Sequence, residues 1–453
     1  MGAKPPAGGH ALFDTACVLG GSIEGLLTAR VLSDHARQVV IVERDEVSTT
    51  GGARPGVPQD QHLHGLLPAV VLWIERWLPG LTREVQDLGA TVVGSDNWFL
   101  AFDGHPQAPN YADHQGLAIG RPFLEARIRS RVTALPNVSV LHARATGLQY
   151  HDGAVSAVRY VEDKAEGVLK ADFVVDAMGR SSRLSEWVRQ DGYDQPLLER
   201  LEAPINYATA LFERPVKAAD LDKASALAIF TPQYDSGGVS AAAANAIEGE
   251  QWIVTLAGYG NDRPGRTIDD FRASCAKLPA VFADAASGAV TRDIATYHQA
   301  ESRRRHFTGL RHFPARLVSA GDAVASFNPV YGQGMSCAAL QASCLSSYLT
   351  GDPDLESAAT EFFDLQQLVV DAAWTVSAGG DAARLDAMNN VEVPEDVRQQ
   401  RWAMEQVIGA TLVDGSIARA FGDVQSMLRH PDTLADPALL ERAVAANSAA
   451  QSH

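Results

Sequence analysis

The chain has 453 residues, 46% of them hydrophobic, which is more than one core usually supports, so two interleaved domains and a terminal helical segment are expected. Its formal charge of −17 argues against a nucleic-acid partner, which needs a basic surface to displace counterions. Cys17, Cys275, Cys337 and Cys344 lack C-x-x-C spacing, no uninterrupted apolar run reaches about 18 residues, and Met1 to Leu12 lacks a signal-peptide pattern. Reduced thiols, no membrane span and a cytoplasmic location are therefore expected.

In chain order, Ala16 to Leu19 and Val39 to Val42 read as strands. Between them Ile23, Leu26, Leu27 and Val31 repeat at helical spacing, completing a βαβ unit. A polar loop from Ser48 to Gln61 precedes a helix with Leu67, Val70, Val71, Ile74 and Leu78 on one face, closed by Gly80. Pro122 opens a helix whose apolar face is Leu124, Ile128, Val132 and Leu135, with Arg127, Arg129 and Arg131 pointing elsewhere.

Strand-like runs follow at Val138 to Leu141, Val155 to Val161 and Phe173 to Val175. Tyr207 to Phe212, Leu227 to Phe230 and Trp252 to Leu256 predict an antiparallel sheet over a pocket. From Asp352 the pattern is helical, and disorder is expected in the leader and after Ala446. Arg303, Arg304 and Arg305 read as a solvated face.

Two short segments carry the chemistry. In the first, Gly20, Ser22 and Gly25 occupy a strand-turn-helix motif in which free N–H groups and the helix dipole stabilise a pyrophosphate. Serine replaces the second glycine. Glu43, ending the next strand, suits a ribose diol without a 2′-phosphate, and Arg44 beside it reads equally as an adenine-side contact or a solvated residue. FAD and NAD both fit this segment.

The second segment runs from Ala320 to Met335. Asp322 follows an apolar strand and can accept bonds from ribityl hydroxyls. The turn Pro329-x-x-Gly332-x-Gly334 then aims a second helix start, at Met335, toward the negative edge of a reduced flavin. Nicotinamide enzymes need neither feature, so the pair points to flavin.

With Arg54-x-Gly56-Val-Pro-Gln59-x-x-His62-x-His64, Val174-Val-Asp-Ala-Met-Gly-Arg180 and Gly321-Asp-Ala-Val-Ala-x-Phe-Asn-Pro-Val-Tyr-Gly-x-Gly-Met-Ser336, the chain resembles FAD-dependent monooxygenases of the para-hydroxybenzoate hydroxylase fold. Within them it is most similar to flavin-dependent epoxidases of bacterial polyether biosynthesis, of the monensin and lasalocid kind. The resemblance implies an α/β fold: a Rossmann-like FAD-binding domain in three parts (14–95, 117–199 and 301–350), a substrate domain with an antiparallel sheet (96–116 and 200–300) and C-terminal helices (351–453).

It further implies that Arg54 to Val57 lie beside the isoalloxazine, that Arg121 reaches toward FAD, and that Asp322 binds the ribityl chain. Gly332 to Met335 would hold the pyrimidine edge, and Asp176 and Gly179 match a second nucleotide-side motif. The implied reaction is insertion of one oxygen atom from dioxygen through a flavin C4a-hydroperoxide, epoxidising an apolar polyene. A prenylated or aromatic substrate, aromatic hydroxylation and prenyl double-bond reduction are the alternatives.

Without a second dinucleotide motif, electrons come from transiently bound NAD(P)H or from a separate flavin reductase. His62 and Tyr331 are the weak catalytic candidates. His62 and His64 lack the further ligands a metal site needs, so no metal is expected.

Overall fold

The computed structural model describes residues 11–46, 54, 56–110, 113–214 and 223–451. The leader and part of the Ser48 to Gln61 loop lie outside the described residues.

Five parallel strands form the first layer, in the order Leu317–Ser319, Phe173–Asp176, Phe13–Leu19, Ala36–Glu43, Val138–His142. Their near-continuous Val, Ile and Leu runs are what a sheet buried on both faces requires. Helix α1 (Ile23–Leu32) crosses over between the first two, and all its residues but Arg30 are buried. Helix α2 (Pro68–Trp77) buries Trp73 and Trp77 in the same core.

Gly80 does not close that helix. It adopts φ 84° and starts a further helix, α3 (Leu81–Asp87), because glycine tolerates the left-handed turn after Leu78-Pro79. Helix α4 (Arg121–Thr133) starts with Pro122 in its first turn and buries Leu124, Ile128 and Val132. Arg129 on the same helix is also buried, at 5% exposure, contrary to the expectation that it points away from the core. Its guanidinium finds Glu125 and the Gly21 carbonyl there, partners that helical periodicity alone cannot reveal.

An antiparallel meander, Arg144–His151, Ala154–Glu162 and Ala165–Lys170, leads to α5 (Leu184–Gln190). A large mixed sheet forms the second layer. Its order is Ala325–Ser326, Val290–His306, Leu197–Glu213, Gln251–Tyr259, Ala241–Ile247, Ser225–Ile229, Trp98–Phe102, His105–Pro106. Its outer face carries α6 (Ile268–Cys275) and α7 (Ala280–Ala285) over a core that includes Phe212, Phe271 and Phe282. Strand Trp98–Phe102 joins it in parallel to Ser225–Ile229.

The Arg303 to Arg305 run lies in one of the two longest of these strands and is not a solvated face. Arg304 pairs with Glu199 and Asp371 at 2.7 Å, Arg305 donates to the Ala323 carbonyl, and Arg303 donates to that of Arg180. Helix α8 (Gly334–Thr350) returns to the first layer and packs on α1 and α2.

The C-terminal part contains α9 (Thr360–Asn389), α10 (Glu395–Ala410), α11 (Gly415–Gln425) and α12 (Pro437–Gln451). Helix α12 runs through the residues expected to be disordered after Ala446. There Asn447 donates to the Gln406 carbonyl at 2.9 Å and an alanine-rich sequence favours helix. No helix of the described residues is long and apolar enough to cross a membrane.

Candidate functional site

At the nucleotide end, Gly20 has φ 100°, and a Cβ there would come 2.4 Å from the Ala177 carbonyl oxygen. A Cβ on Gly25 would meet the Gly20 carbonyl oxygen at 1.9 Å, so glycine is what lets α1 close on its preceding strand. Ser22 fills the second motif position with bonds of its own: its hydroxyl donates to Glu125 at 2.7 Å and accepts from Arg121 at 3.2 Å. The serine thereby ties the start of α1 to α4.

Glu43 accepts the N–H groups of Gly21 at 2.8 Å and Asp45 at 3.0 Å, and pairs with Arg54 at 3.2 Å. Burial opposes its charge, but the Asp45 N–H, Arg54 and the Gly21 N–H together hold its pKa below the ordinary value. Arg44 is exposed, 3.9 Å from Asp45. Arg54 also pairs with Glu125 at 2.8 Å, which places it at the end of the cavity where Glu43 stands.

Arg121 pairs with Asp60 at 3.1 Å. Burial pushes the Asp60 carboxyl up to about 6, against the pull of Arg121. Nε and Nη1 of Arg129 are buried without hydrogen-bond partners among the described residues. Three guanidiniums thus gather around the start of α1, a setting that stabilises a diphosphate. Glu125 and Arg129 were invisible as site residues in sequence; their i, i+4 spacing is the only signal that pairs them.

In the second segment, Asp322 is half-buried and accepts no hydrogen bond from the described residues. Burial raises its pKa, opposed by Arg121, Arg180 and Arg303. Glu24, also missed in sequence, borders the same space. Burial takes its pKa to about 8, with Thr28 lowering it and Asp322 raising it, so it is protonated at neutral pH.

Asn328 caps the following turn through the Val330 N–H at 3.1 Å, and Gly332 adopts φ 70° ahead of α8. A Cβ on Gly334 would meet nothing within 4 Å, and Gln333 Oε1 and Ser336 Oγ are buried without partners. The helix start therefore opens onto space at Gly334.

A buried network supports this turn. Tyr207 donates to Asn328 at 2.6 Å, Tyr259 donates to Asp381 at 2.6 Å, and the Asn328 amide donates to Asp381 at 2.9 Å. Burial, ahead of the Asp381 charge, pushes the Tyr207 and Tyr331 hydroxyls far above the ordinary phenol value. His62 Nδ1 lies 2.7 Å from the Thr209 hydroxyl, and burial next to Arg292 lowers its pKa to about 4. His64 turns instead to the His62 carbonyl at 2.9 Å. Among the described residues no group of three His, Cys, Asp or Glu side chains is arranged for a metal.

Both segments open on one cavity of about 1920 Å³. Gly20, Ser22, Glu43, Arg44, Arg54, Val57, His62, Arg121, Gly179, Asp322, Pro329, Tyr331, Gly332, Gly334 and Met335 all line it. Gly25 and Asp176 do not. Asp176 is 1% exposed and holds its own loop through Ser182, Ser319 and the Met178 N–H. The pocket was expected from residues 200–300 and 97–115, yet α9, α10 and α11 supply a further wall, including Gly379, Ala383, Met404 and Phe421.

Two open helix starts, Arg121 beside the first of them and an uncommitted Asp322 carboxylate fit a flavin dinucleotide. The fold and site define a flavoprotein of the para-hydroxybenzoate hydroxylase type. Residues 114–351 match the FAD binding domain family, and the chain belongs to it, with FAD as its cofactor.

The chain is 30% identical over 465 residues to Protein Rv3254 of Mycobacterium tuberculosis, a match covering 96% of this chain and 94% of that protein. The structure is similar to a flavoprotein/dehydrogenase from Cytophaga hutchinsonii (TM-score 0.67, 12% identity, 96% of this chain and 99% of that one). It is also similar to p-nitrophenol 4-monooxygenase PnpA from Pseudomonas putida DLL-E4 (TM-score 0.61, 17% identity, 94% and 98%).

Proposed function

We propose that this chain is an FAD-dependent monooxygenase that adds one oxygen atom of dioxygen to a carbon–carbon double bond of an apolar natural-product intermediate. One observation carries the reading: a single cavity joins the dinucleotide turn to apolar walls that include Leu227, Ile229, Ala241 and Ala243. Its volume of about 1920 Å³ exceeds the roughly 300–1,000 Å³ that one small ligand occupies, so cofactor and an apolar second ligand share one chamber.

Bound FAD supplies the oxygen-activating chemistry. The chain's own part is to hold the dinucleotide at Glu43, Arg121 and Asp322, to present the N–H groups after Gly332 to the ring, and to keep water from the apolar wall. Adding oxygen to an alkene needs no strong base, and Tyr207, Tyr259 and Tyr331 keep their protons. Electrons come from NAD(P)H or from a partner reductase.

Aromatic hydroxylation is the second reading. It is favoured by His62, a neutral imidazole on the cavity wall that can accept a hydrogen bond from a phenolic hydroxyl. Turnover under labelled dioxygen, with reductant and either a polyene or a prenylated arene, tests both. Label in an epoxide supports the first reading, label in a phenol the second, and unlabelled product sinks oxygen transfer in favour of double-bond reduction.

A further inference from the structure

Three arginines from the C-terminal helices line the cavity: Arg384, Arg401 and Arg419. Two are committed to carboxylates, Arg401 to Asp386 at 2.5 Å and Arg419 to Asp113 at 2.6 Å. Arg384 has no carboxylate within salt-bridge distance among the described residues. Its guanidinium is nevertheless fixed, lying 4.8 Å from the centroid of the Tyr259 ring with Nη2 donating to the Phe230 carbonyl.

That bond occupies one nitrogen. Nε and Nη1 are neither hydrogen-bonded within the described residues nor sealed from the cavity. Asp381, one turn earlier on α9, is fully buried and spent on Tyr259 and Asn328. A preorganised fork with open donors on a cavity wall is the arrangement that recognises a planar anion.

We propose that Arg384 binds the carboxylate of a substrate that is otherwise an apolar chain. The assignment rests on the reading of this cavity as the site of oxygen transfer, and it narrows the substrate to a free acid, since an ester or carrier-bound thioester has no such charge. A single guanidinium matches a monoanion. A diphosphate would bring more negative charge into a cavity that Glu405 also lines.

The location also serves the chemistry. Gly380, one turn before Arg384, lies so close to the flavin-side turn that a Cβ there would be 2.4 Å from the Tyr331 hydroxyl. A head group held at Arg384 is thus registered about one helical turn, roughly 5 Å, from that contact.

Calorimetric titration of the FAD-loaded protein with a long-chain unsaturated fatty acid, its methyl ester and a prenyl diphosphate tests this. The acid should bind at least about tenfold tighter than the ester. Arg384→Gln should bring the acid down to the affinity of the ester with FAD content unchanged, and Arg384→Lys should keep part of the preference.

Equal affinity for acid and ester in the unaltered protein, binding of neither, or tighter binding of the diphosphate overturns the proposal without recourse to a variant. Acid preference that survives in Arg384→Gln removes Arg384 from it. No oxygen transfer is measured, so failure here and failure of the monooxygenase reading give different results.

Discussion

Asp322 and Glu24 stand side by side at the start of the second segment, and burial treats them alike while their roles differ. Asp322 has three arginines opposing its rise in pKa and acceptor capacity left over. Asp322→Ala should weaken FAD by about 1.5–3 kcal/mol, the worth of a charge-assisted hydrogen bond. Flavin retained on purification and fluorescence titration measure it, and a fully yellow variant would remove Asp322 from the ribityl contact.

Glu24 has no cation to offset burial, so its pKa rises from 4.5 to about 8. A carboxyl raised on folding binds more protons in the folded state. Its stabilising effect is complete below pH 4.5 and lost as the pH rises toward 8. At about 1.4 kcal/mol per pH unit crossed, the loss is on the order of a few kcal/mol. Glu24→Gln should therefore flatten the fall in melting temperature of the FAD-free protein over this range. An unchanged pH profile would place the proton on another group.

Candidate residues could be singled out where a motif lies in one segment. Gly20, Glu43 and Asp322 stand out because strand, turn and acid follow in order. Arg129 and Asp381 stayed hidden because Gly21 and Tyr259 are more than 100 positions away. A polar residue on an amphipathic helix reads as solvent-facing until such a partner is known.

Among the elements, the α1 turn illustrates how sequence and packing agree. The apolar strand, the glycines and the periodic helix each demand the same close approach, and the structure gives it no spare room at Gly25. Gly25→Ala should cost about 1–3 kcal/mol or more through overpacking and strip the protein of FAD together with stability. Thermal melting with flavin quantitation checks this; a stable, flavin-replete variant would mean that the turn can relax.

Helix α9 shows where periodicity misleads. Its 30 residues bury Phe362, Phe363 and Val370 on the first-layer core, then carry Gly379, Gly380 and Ala383 along the cavity. One helix thus changes partner along its length. The sequence shows that second half only as helical, whereas in the fold Gly380 admits the Tyr331 hydroxyl and Gly379 and Ala383 border the cavity.

For the molecule as a whole, an acidic chain sets Arg54, Arg121 and Arg180 along its cavity, with Arg129 buried behind the first turn. Net charge therefore said little about the site. Division of labour is clearer in the cores. Val407, Ala410, Ile417, Phe421, Val424, Leu434 and Ala443 form a cluster separate from the one beneath the parallel sheet, touched from outside by Phe102 and Val376. Among the described residues, the chain from Val391 onward thus folds largely on itself while walling the cavity.

Removing residues 391–451 should leave the FAD cradle intact and take away the far wall of the chamber. The truncated protein is expected to purify yellow with an unaltered flavin spectrum, to expose Phe102 and Val376, and to lose at least about tenfold in affinity for an apolar ligand as buried contact area disappears. Flavin absorbance and calorimetric titration read the two effects separately. Loss of flavin on truncation would show that the C-terminal core also supports the dinucleotide half, and undiminished ligand affinity would place the apolar site against the large sheet alone.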